Sequence, residues 1–520
     1  MQQKTASIQS RASGGAVSWI ASHFKAAVFS GFLIPIVFFV VLSYYNILMY
    51  LSNYYTIFDL GLAYRTMYLF ITTHSLVNWP VPYALVTAKP YTKLIYVPLS
   101  LTLIIYGGPT TVLVDMIAAV SAGGFAIFKI FKIRTADTSV GLFAQIMYFL
   151  YPASYGLMAH GGNFMIFFTP LILLSFMYYL EEKPFKSGIF AIFSMLTFSF
   201  ATLLVPLFYL TTITLDKKFY AKSKIITGRV KDHEKQKNHG NMGLWKIYFI
   251  ALAFIIGAIL FFFEISMYSF GGLITAARLP VSSASNGAIL PTTNFLQTMF
   301  GILPGTKFNF FLSMLYPFLF LPILTPYSLF ILPFFLLLFY ANYLPYYGVS
   351  QQYPSMVSAI IFVGFAHFLS RHLGKKSIKK FMVFTLVASS VSFLTLSPFS
   401  IGNFEQGYLV SNSHVTNLDI ELNKGLSYIP MNSSVFIQND IPQLMNRASI
   451  YMPGNYSGQT VNFSVIIPSD IGFPSDQYSG YNSTWALFFH DNPSYGLYIY
   501  IEGISIYKFG YHSNPIYSIT

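Results

Sequence analysis

Residues 27–50 read AVFSGFLIPIVFFVVLSYYNILMY, and residues 51–61 continue as LSNYYTIFDLG. The first stretch is predominantly apolar and long enough to cross a bilayer, which takes about 20 helical residues. It is too long for the core of a typical signal peptide and has no clear cleavage site, so we interpret it as an uncleaved first helix. Asp59 follows closely. A carboxylate beside a membrane helix is costly unless water, a partner or a substrate meets it, so Asp59 is the first candidate for chemistry at the membrane surface.

The rest of the chain has the composition of a membrane protein. Only 9% of its 520 residues are charged, whereas soluble domains carry about 25%. Further apolar runs recur along most of the sequence, and because they are continuous rather than alternating, they favour helices over a β-barrel. The absence of cysteine excludes disulfides, thiol nucleophiles and cysteine metal sites. We therefore predict a mainly α fold, a polytopic transmembrane helical bundle with a small C-terminal extracytoplasmic α/β domain.

Apolar runs and the residues that interrupt them predict about 11 crossings. The predicted spans are 27–50, 109–131, 138–156, 164–180, 187–199, 200–214, 244–264, 308–324, 327–341, 353–370 and 381–397. Residues 187–214 are too few for two full spans, and we interpret them as two short helices that meet inside the membrane at a break near Pro206. Residues 94–106 are predicted to form a re-entrant or interfacial helix.

Basic residues predict the orientation in the plasma membrane. With the N-terminus in the cytoplasm, most of the 30 Lys and Arg residues fall on the inner side, as the positive-inside rule requires. The loop 215–246 is then cytoplasmic, and the loops 51–108 and 265–307 are outside. The exceptions on the outer side are Arg65, Lys89, Lys93, Arg278, Lys307, Lys424, Arg447 and Lys508. The net charge of +13 therefore reports topology and contact with membrane lipid, and it does not indicate nucleic acid.

The composition changes near residue 398. Residues 1–397 form the predicted transmembrane domain, and the polar residues 398–520 form the predicted extracellular domain. Segments 434–438, 463–467 and 496–501 are predicted strands, and Glu502-Gly503 predicts a tight hairpin. All four N-glycosylation sequons of the chain lie here, at Asn432, Asn455, Asn462 and Asn482. Their placement agrees with the charge-based orientation and is typical of an archaeal surface protein.

Polar residues of separate loops share the predicted outer face. A carboxylate that accepts a proton, together with cations that bind a phosphate, suits transfer from a lipid-phosphate donor. Asp59 is the candidate general base, and Arg278, with Arg65 or Lys93, is the candidate phosphate-binding group. The other candidate substrate-binding residues are His160, Asn163, Glu264 and Asp115, which lies just inside the second span.

These residues also have structural alternatives. Asp59 suits an N-cap for a helix at 60–72, and Asp115 suits a buried partner of a neighbouring helix. Glu264 suits a solvated helix end, and His160 suits a turn. No spacing of His, Asp and Glu predicts a convincing metal site, so no cofactor is firmly predicted, and a divalent metal stays open.

The sequence resembles a known family at four places. They are Phe58-Asp59-Leu60-Gly61, Leu150-Tyr151-Pro152-Ala153, Gln352-Tyr353-Pro354, and a block from Ile429 to Asp470 with the Glu502-Gly503 hairpin. The family comprises multi-pass membrane proteins of unknown function from archaea and bacteria, and it is allied to the GT-C glycosyltransferases. The resemblance implies a GT-C-like architecture and transfer of a sugar from a polyprenyl-phosphate carrier to an unknown acceptor on the outer face, with Asp59 matching the acidic residue of the first outer loop.

The sequence also departs from that family, and three alternatives stay open. His160, Gly161, Gly162 and Asn163 stand where the family usually has Asp-Phe-His-Pro-Glu. A divergent or inactive enzyme is the first alternative. A lipid or solute transporter, with Asp59 and Asp115 as coupling groups, is the second, and a non-catalytic surface-anchored binding protein is the third.

Overall fold

The computed structural model describes most of the chain, and its described part is mainly helical. The described residues are 29–55, 60–74, 94–154, 163–198, 200–227, 251–260, 304–340, 354–397, 413–437, 441–451, 458–467 and 479–519, with the single residues 158, 161, 249, 349 and 456. The helices are α1 Phe29–Leu51, α2 Leu62–Thr73, α3 Tyr96–Leu99, α4 Thr110–Thr135, α5 Thr138–Leu150, α6 Phe168–Leu180, α7 Pro184–Met195, α8 Ala201–Thr227, α9 Ala251–Leu260, α10 Pro304–Leu315, α11 Ser328–Tyr340, α12 Ser355–His372, α13 Lys375–Leu396, α14 Asn417–Ser427 and α15 Ser479–Asp491. The strands are β1 Ser434–Phe436, β2 Ser449–Tyr451, β3 Phe463–Ile466, β4 Tyr495–Ile501, β5 Ile504–Phe509 and β6 Tyr517–Ile519.

Helix α4 is the centre of the helical region. It packs against α5, α6 and α12. In its most apolar stretch of 18 residues, 67% of the residues are buried, compared with 22% in the corresponding stretch of α1. Gly123 and Gly124 of α4 contact side chains of α5 so closely that a Cβ at either position would clash. Small residues allow helices in membranes to approach closely. Among the described residues, α1, α4 and the stretch Ser377–Leu396 of α13 are long and apolar enough to cross a membrane.

Residues 187–214 lie in two helices, as predicted, but these helices extend over residues 184–227 and the break is elsewhere. Helix α7 ends at Met195 and α8 begins at Ala201, so the predicted break near Pro206 is wrong. Pro206 lies inside α8, a helix that is not short. Gly257 of α9 packs directly against the carbonyl of Thr202, the residue four positions before Pro206. The actual break is tied down by Ile95, whose N–H donates to the Leu196 carbonyl at 3.0 Å.

The predicted span 308–324 is not one continuous helix. Helix α10 ends at Leu315, and two 3₁₀ turns follow at Tyr316–Phe318 and Leu321–Leu324. Pro317 and Pro322 remove backbone donors at this point. Between the turns, Leu319 and Phe320 adopt positive φ angles of 52° and 58°. The predicted helix at 94–106 is found as α3 followed by a 3₁₀ helix at Ser100–Ile104.

The C-terminal region contains a six-stranded mixed sheet in the order β2-β1-β3-β5-β4-β6. Strand β1 is parallel to β2 and β3, whereas β5 is antiparallel to β3 and β4. The three predicted strands are confirmed to within two residues at each end. The predicted hairpin is also confirmed, because Glu502 and Gly503 have φ angles of 42° and 93° between β4 and β5, as a type I′ turn requires.

The sheet is buried on both faces. One face carries Val435, Val465 and Ile506, which belong to the same apolar core as the helices. The other face carries an aromatic core around Phe436 and Phe489, beneath α15. The continuous core fixes the sheet against the helical region and thereby positions the site described next.

Candidate functional site

Polar groups of the helical region contact the C-terminal region from residue 413 to residue 519, which we call the sheet region. We call this contact the sheet junction. It comprises Asn53, Tyr64 and Arg65 on one side, and Asp419 and the segment 441–447 on the other. Asn53 donates from Nδ2 to Asp419 Oδ1 at 2.9 Å, and its Oδ1 accepts from Gln443 Nε2 at 2.7 Å. Both ends of the Asn53 amide are thus bonded to the sheet region.

Asp419 at this junction is satisfied without a cation. Its Oδ2 accepts from the backbone N–H of Thr416 at 2.8 Å and from the Thr416 hydroxyl at 2.6 Å. Its own N–H donates to Thr416 Oγ1, which completes a capping box at the start of α14. The carboxylate therefore orients α14 and docks it on Asn53.

Arg65 is a predicted site residue that the structure places at the sheet junction. Its side chain projects from α2, is 5% exposed, and donates from Nη1 to the carbonyls of Met445 at 2.9 Å and Arg447 at 2.8 Å. Burial lowers the pKa of Arg65 to about 10, so the guanidinium stays charged at neutral pH. These contacts join α2 to the sheet region, and a role for Arg65 in phosphate binding stays a proposal.

Arg447 lies beside Arg65, and sequence reasoning did not single it out. The residue is 7% exposed, Nη1 donates to Asn446 Oδ1, and Nε has no hydrogen-bond partner in the described part of the chain. Burial lowers its pKa, against the opposing influence of Tyr64 and Tyr68. One sequence signal pointed to it, since Arg447 is one of very few basic residues in the predominantly acidic segment after residue 398.

Tyr64 connects this pair of arginines to the short helix after residue 95. Its hydroxyl donates to the Gly107 carbonyl at 3.2 Å, and it also hydrogen-bonds with Asn446. Burial raises the pKa of Tyr64 to about 12, so it is a neutral hydrogen-bonding group at physiological pH. The nearby carboxylate of Asp115 accepts from Thr102 Oγ1 at 2.6 Å, which ties α4 to the same segment.

Asn163 and its loop approach the end of α1. Asn163 is buried and caps a 3₁₀ helix at Phe164–Phe167, where its Oδ1 accepts from the N–H of Met165 at 3.0 Å. Gly161 has a φ of 61° and packs on the Tyr55 ring, where a Cβ would clash. The Tyr55 hydroxyl lies 3.3 Å from the Met158 carbonyl. The loop that contains Asn163 therefore contacts the chain a few residues before Asp59.

Several predicted residues fall outside the described part of the chain. They are Asp59, Lys93, His160, Glu264, Arg278 and the sequon residue Asn455. Of the other sequons, Asn432 and Asn462 are exposed, and Asn482 lies in α15. Within the described ranges, no group of three or more His, Asp or Glu side chains could hold a metal ion.

The chain resembles solved structures of ArnT. A crystal structure of ArnT from Cupriavidus metallidurans in the apo state aligns with a TM-score of 0.48 at 9% identity, covering 91% of this chain and 97% of ArnT. A second ArnT structure from the same organism, bound to undecaprenyl phosphate, aligns with a TM-score of 0.43 at 10% identity and the same coverage. At these scores the likeness establishes neither the fold nor the function of this chain.

The sequence comparisons are more decisive. No curated protein matches the chain. Residues 88–486 match the family DUF2079, described as a predicted membrane protein. The match contains Leu150–Ala153, Gln352–Pro354 and the block from Ile429 to Asp470, whereas Phe58–Gly61 and the hairpin lie outside it. Because the matched residues make up most of the chain, the resemblance is confirmed for the family, and this membrane protein belongs to DUF2079.

Proposed function

We propose that this protein is a membrane glycosyltransferase that transfers a sugar from a polyprenyl-phosphate carrier to an acceptor on the outer face of the membrane. The N-terminus is cytoplasmic and the sheet region extracellular in this proposal. The observation that carries it is the sheet junction, where buried Arg65 lies on α2, six residues after Asp59 in the sequence. Acid and cation thus come from one short stretch beside membrane-spanning helices.

The chemistry requires two kinds of group. A base accepts the proton of the acceptor hydroxyl as its oxygen attacks the anomeric carbon, and the bond from that carbon to the carrier phosphate breaks. Cations stabilise the negative charge that collects on the departing lipid phosphate. Asp59 is the proposed base, and Arg278, with Arg65 or Lys93, is the proposed phosphate-binding group.

The surroundings of the junction support this division of roles. Tyr55 and Leu60, the described residues on either side of Asp59 in the sequence, are 2% and 0% exposed, so both are fixed by packing. Asp115 and Asn163, by contrast, make local contacts with Thr102 and Met165. We therefore assign them a supporting role in shaping the site.

The substitution Asp59→Asn tests the proposal. In membranes supplied with a labelled polyprenyl-phosphate sugar, we expect transfer to fall by about 10²–10⁴-fold, as for loss of a general base, while expression and membrane insertion persist. Asp491→Asn is the matched control, because this carboxylate is 71% exposed and pairs with the exposed side chain of His490. Full transfer by Asp59→Asn would refute the assigned role, and no transfer by the unmodified protein would refute the enzymatic proposal.

A further inference from the structure

Arg447 is a buried cation whose contacts do not account for its charge. Within the described residues it forms no ion pair, and its one hydrogen-bonded side chain is the neutral amide of Asn446. Its Nε is enclosed and has no partner. Burying a guanidinium costs several kcal/mol unless an anion or a full set of acceptors compensates. Arg65 differs, because two backbone carbonyls accept from its Nη1.

The groups around Arg447 are neutral hydrogen-bonding groups. Tyr64 and Tyr68 lie close enough to influence the pKa of Arg447, and no carboxylate of the described residues does so. Hydroxyl and amide groups can hydrogen-bond to an anion together with an arginine, but they cannot neutralise the charge of the arginine. A guanidinium fits phosphate especially well because its planar N–H groups match two oxygens at once.

An exposed apolar surface is connected to the neighbourhood of this cation through Tyr64. Tyr64 connects the neighbourhood of Arg447 to Gly107, and the residues just before Gly107 are the most exposed apolar side chains of that segment. They are Leu101 at 61%, Ile104 at 71%, Ile105 at 87% and Tyr106 at 61% exposure. An anion that approaches Arg447 from this side therefore meets a surface suited to a hydrocarbon chain.

We propose that Arg447 binds the phosphate of a lipid whose hydrocarbon chain lies along residues 101–106. The inference rests on the proposed function for the nature of the lipid, a polyprenyl monophosphate carrier. It adds that the sheet region supplies a phosphate-binding group, so the donor site is complete only when the sheet is docked on α2. A free phosphate ion shares the headgroup chemistry and lacks the chain.

The test is a binding measurement without turnover. The full-length protein in an uncharged maltoside detergent is titrated calorimetrically with farnesyl phosphate, farnesol and inorganic phosphate. We expect farnesyl phosphate to bind more tightly than either, and Arg447→Gln to raise its Kd by roughly 30-fold or more. Arg447→Lys, which keeps the charge and loses the two-pronged geometry, has an intermediate affinity.

Lys424→Gln is the matched control. It removes one positive charge from the same region, but Lys424 is about half exposed and already pairs with Glu421 at 3.5 Å, so affinity stays at the wild-type value. Ligand-free Arg447→Gln is expected to melt at or above the wild-type temperature, because the buried charge it removes has no ion-pair partner within the described residues. A large drop in that temperature would indicate a structural role and overturn the inference.

The remaining outcomes test this inference and the proposed function separately. Wild-type affinity in Arg447→Gln, or in Arg447→Lys if the glutamine variant does not fold, overturns the inference. Equal affinity for inorganic phosphate overturns the assignment to a lipid. Loss of binding in Arg447→Gln with intact sugar transfer overturns this inference alone, whereas firm binding with no transfer by the wild-type protein overturns the proposed function alone.

Discussion

Charged side chains near the two ends of helix α4 are in different environments. Near its C-terminal end, charges form ion pairs at the surface, with Lys129 4.0 Å and Lys183 2.7 Å from Glu181, and Lys379 3.4 Å from Asp137. Near its N-terminal end, the structure buries Arg65 and Arg447 against neutral oxygens. The first arrangement has little effect on stability, because exposed ion pairs contribute about 0–1 kcal/mol. It follows from the topology of the chain. The second is costly, which is why we connect it with function.

The largest expected effect is that of Arg65→Ala. It leaves the buried carbonyls of Met445 and Arg447 without their donor, and the cost is about 3 kcal/mol of unfolding free energy. We expect a lower melting temperature in detergent and faster proteolysis between α13 and the sheet. Arg447→Gln, a few ångströms away on the same junction, is the comparison variant. Unchanged stability together with lost lipid binding in Arg65→Ala would show that Arg65 contributes to ligand binding and not to stability.

A smaller effect is expected for Asp137→Ala at the other end of α4. Asp137 caps α5, where its Oδ1 accepts from the N–H of Ser139 at 2.9 Å, and removal of an N-cap costs about 1 kcal/mol. Thermal unfolding of the variant at neutral pH measures this loss. A loss as large as that of Arg65→Ala would break the contrast between the two ends.

The same residue gives a pH dependence with a definite sign. Partial burial raises the pKa of Asp137, but hydrogen bonds from Ser139 and the charge of Lys379 outweigh it, so the pKa is lowered overall. The stability that the ionised carboxylate of Asp137 contributes is therefore complete above the unfolded pKa of about 4. It is lost as the pH falls through the lower pKa of the folded state. The stability difference between wild type and Asp137→Ala should shrink below about pH 4. A difference that grows on acidification would contradict the assignment.

The smallest effect is expected for Lys379→Gln. This side chain is 57% exposed, and loss of its pair with Asp137 should lower the unfolding free energy by about 0.5 kcal/mol or less. Added salt should remove the difference, because exposed pairs are screened. A salt-independent loss above about 1 kcal/mol would mean that this ion pair contributes more to stability than an exposed pair does.

Local patterns predicted local structure well. The apolar run at residues 27–50 became α1, and the Glu502-Gly503 dipeptide became the turn between β4 and β5, because hydrophobic length and turn chemistry act over a few residues. Pro206 shows where such reasoning fails. A proline is tolerated within a membrane helix when neighbouring helices pack around it, and here Gly257 of another helix packs on the carbonyl of Thr202.

The candidate site shows the same limit. Arg65 was recognisable from its placement in a loop of the predicted outer side, but its partners are carbonyls about 380 residues away. Arg447 carried only the weak signal of a basic residue in an acidic segment. Its burial depends on the docking of the sheet against α2, which no local pattern encodes. The roles of Asp59, Lys93, His160, Glu264 and Arg278 stay predictions.

The sequence by itself determined that this protein is a membrane protein of helices followed by a sheet, because transfer of apolar runs from water and the strand and turn preferences are properties of short segments. Only the tertiary structure decided which cations are buried together, where the helices break, and which residue of the sheet region faces the first loop. Those outcomes depend on desolvation and on hydrogen-bond partners brought together from distant parts of the chain, and both exist only after packing.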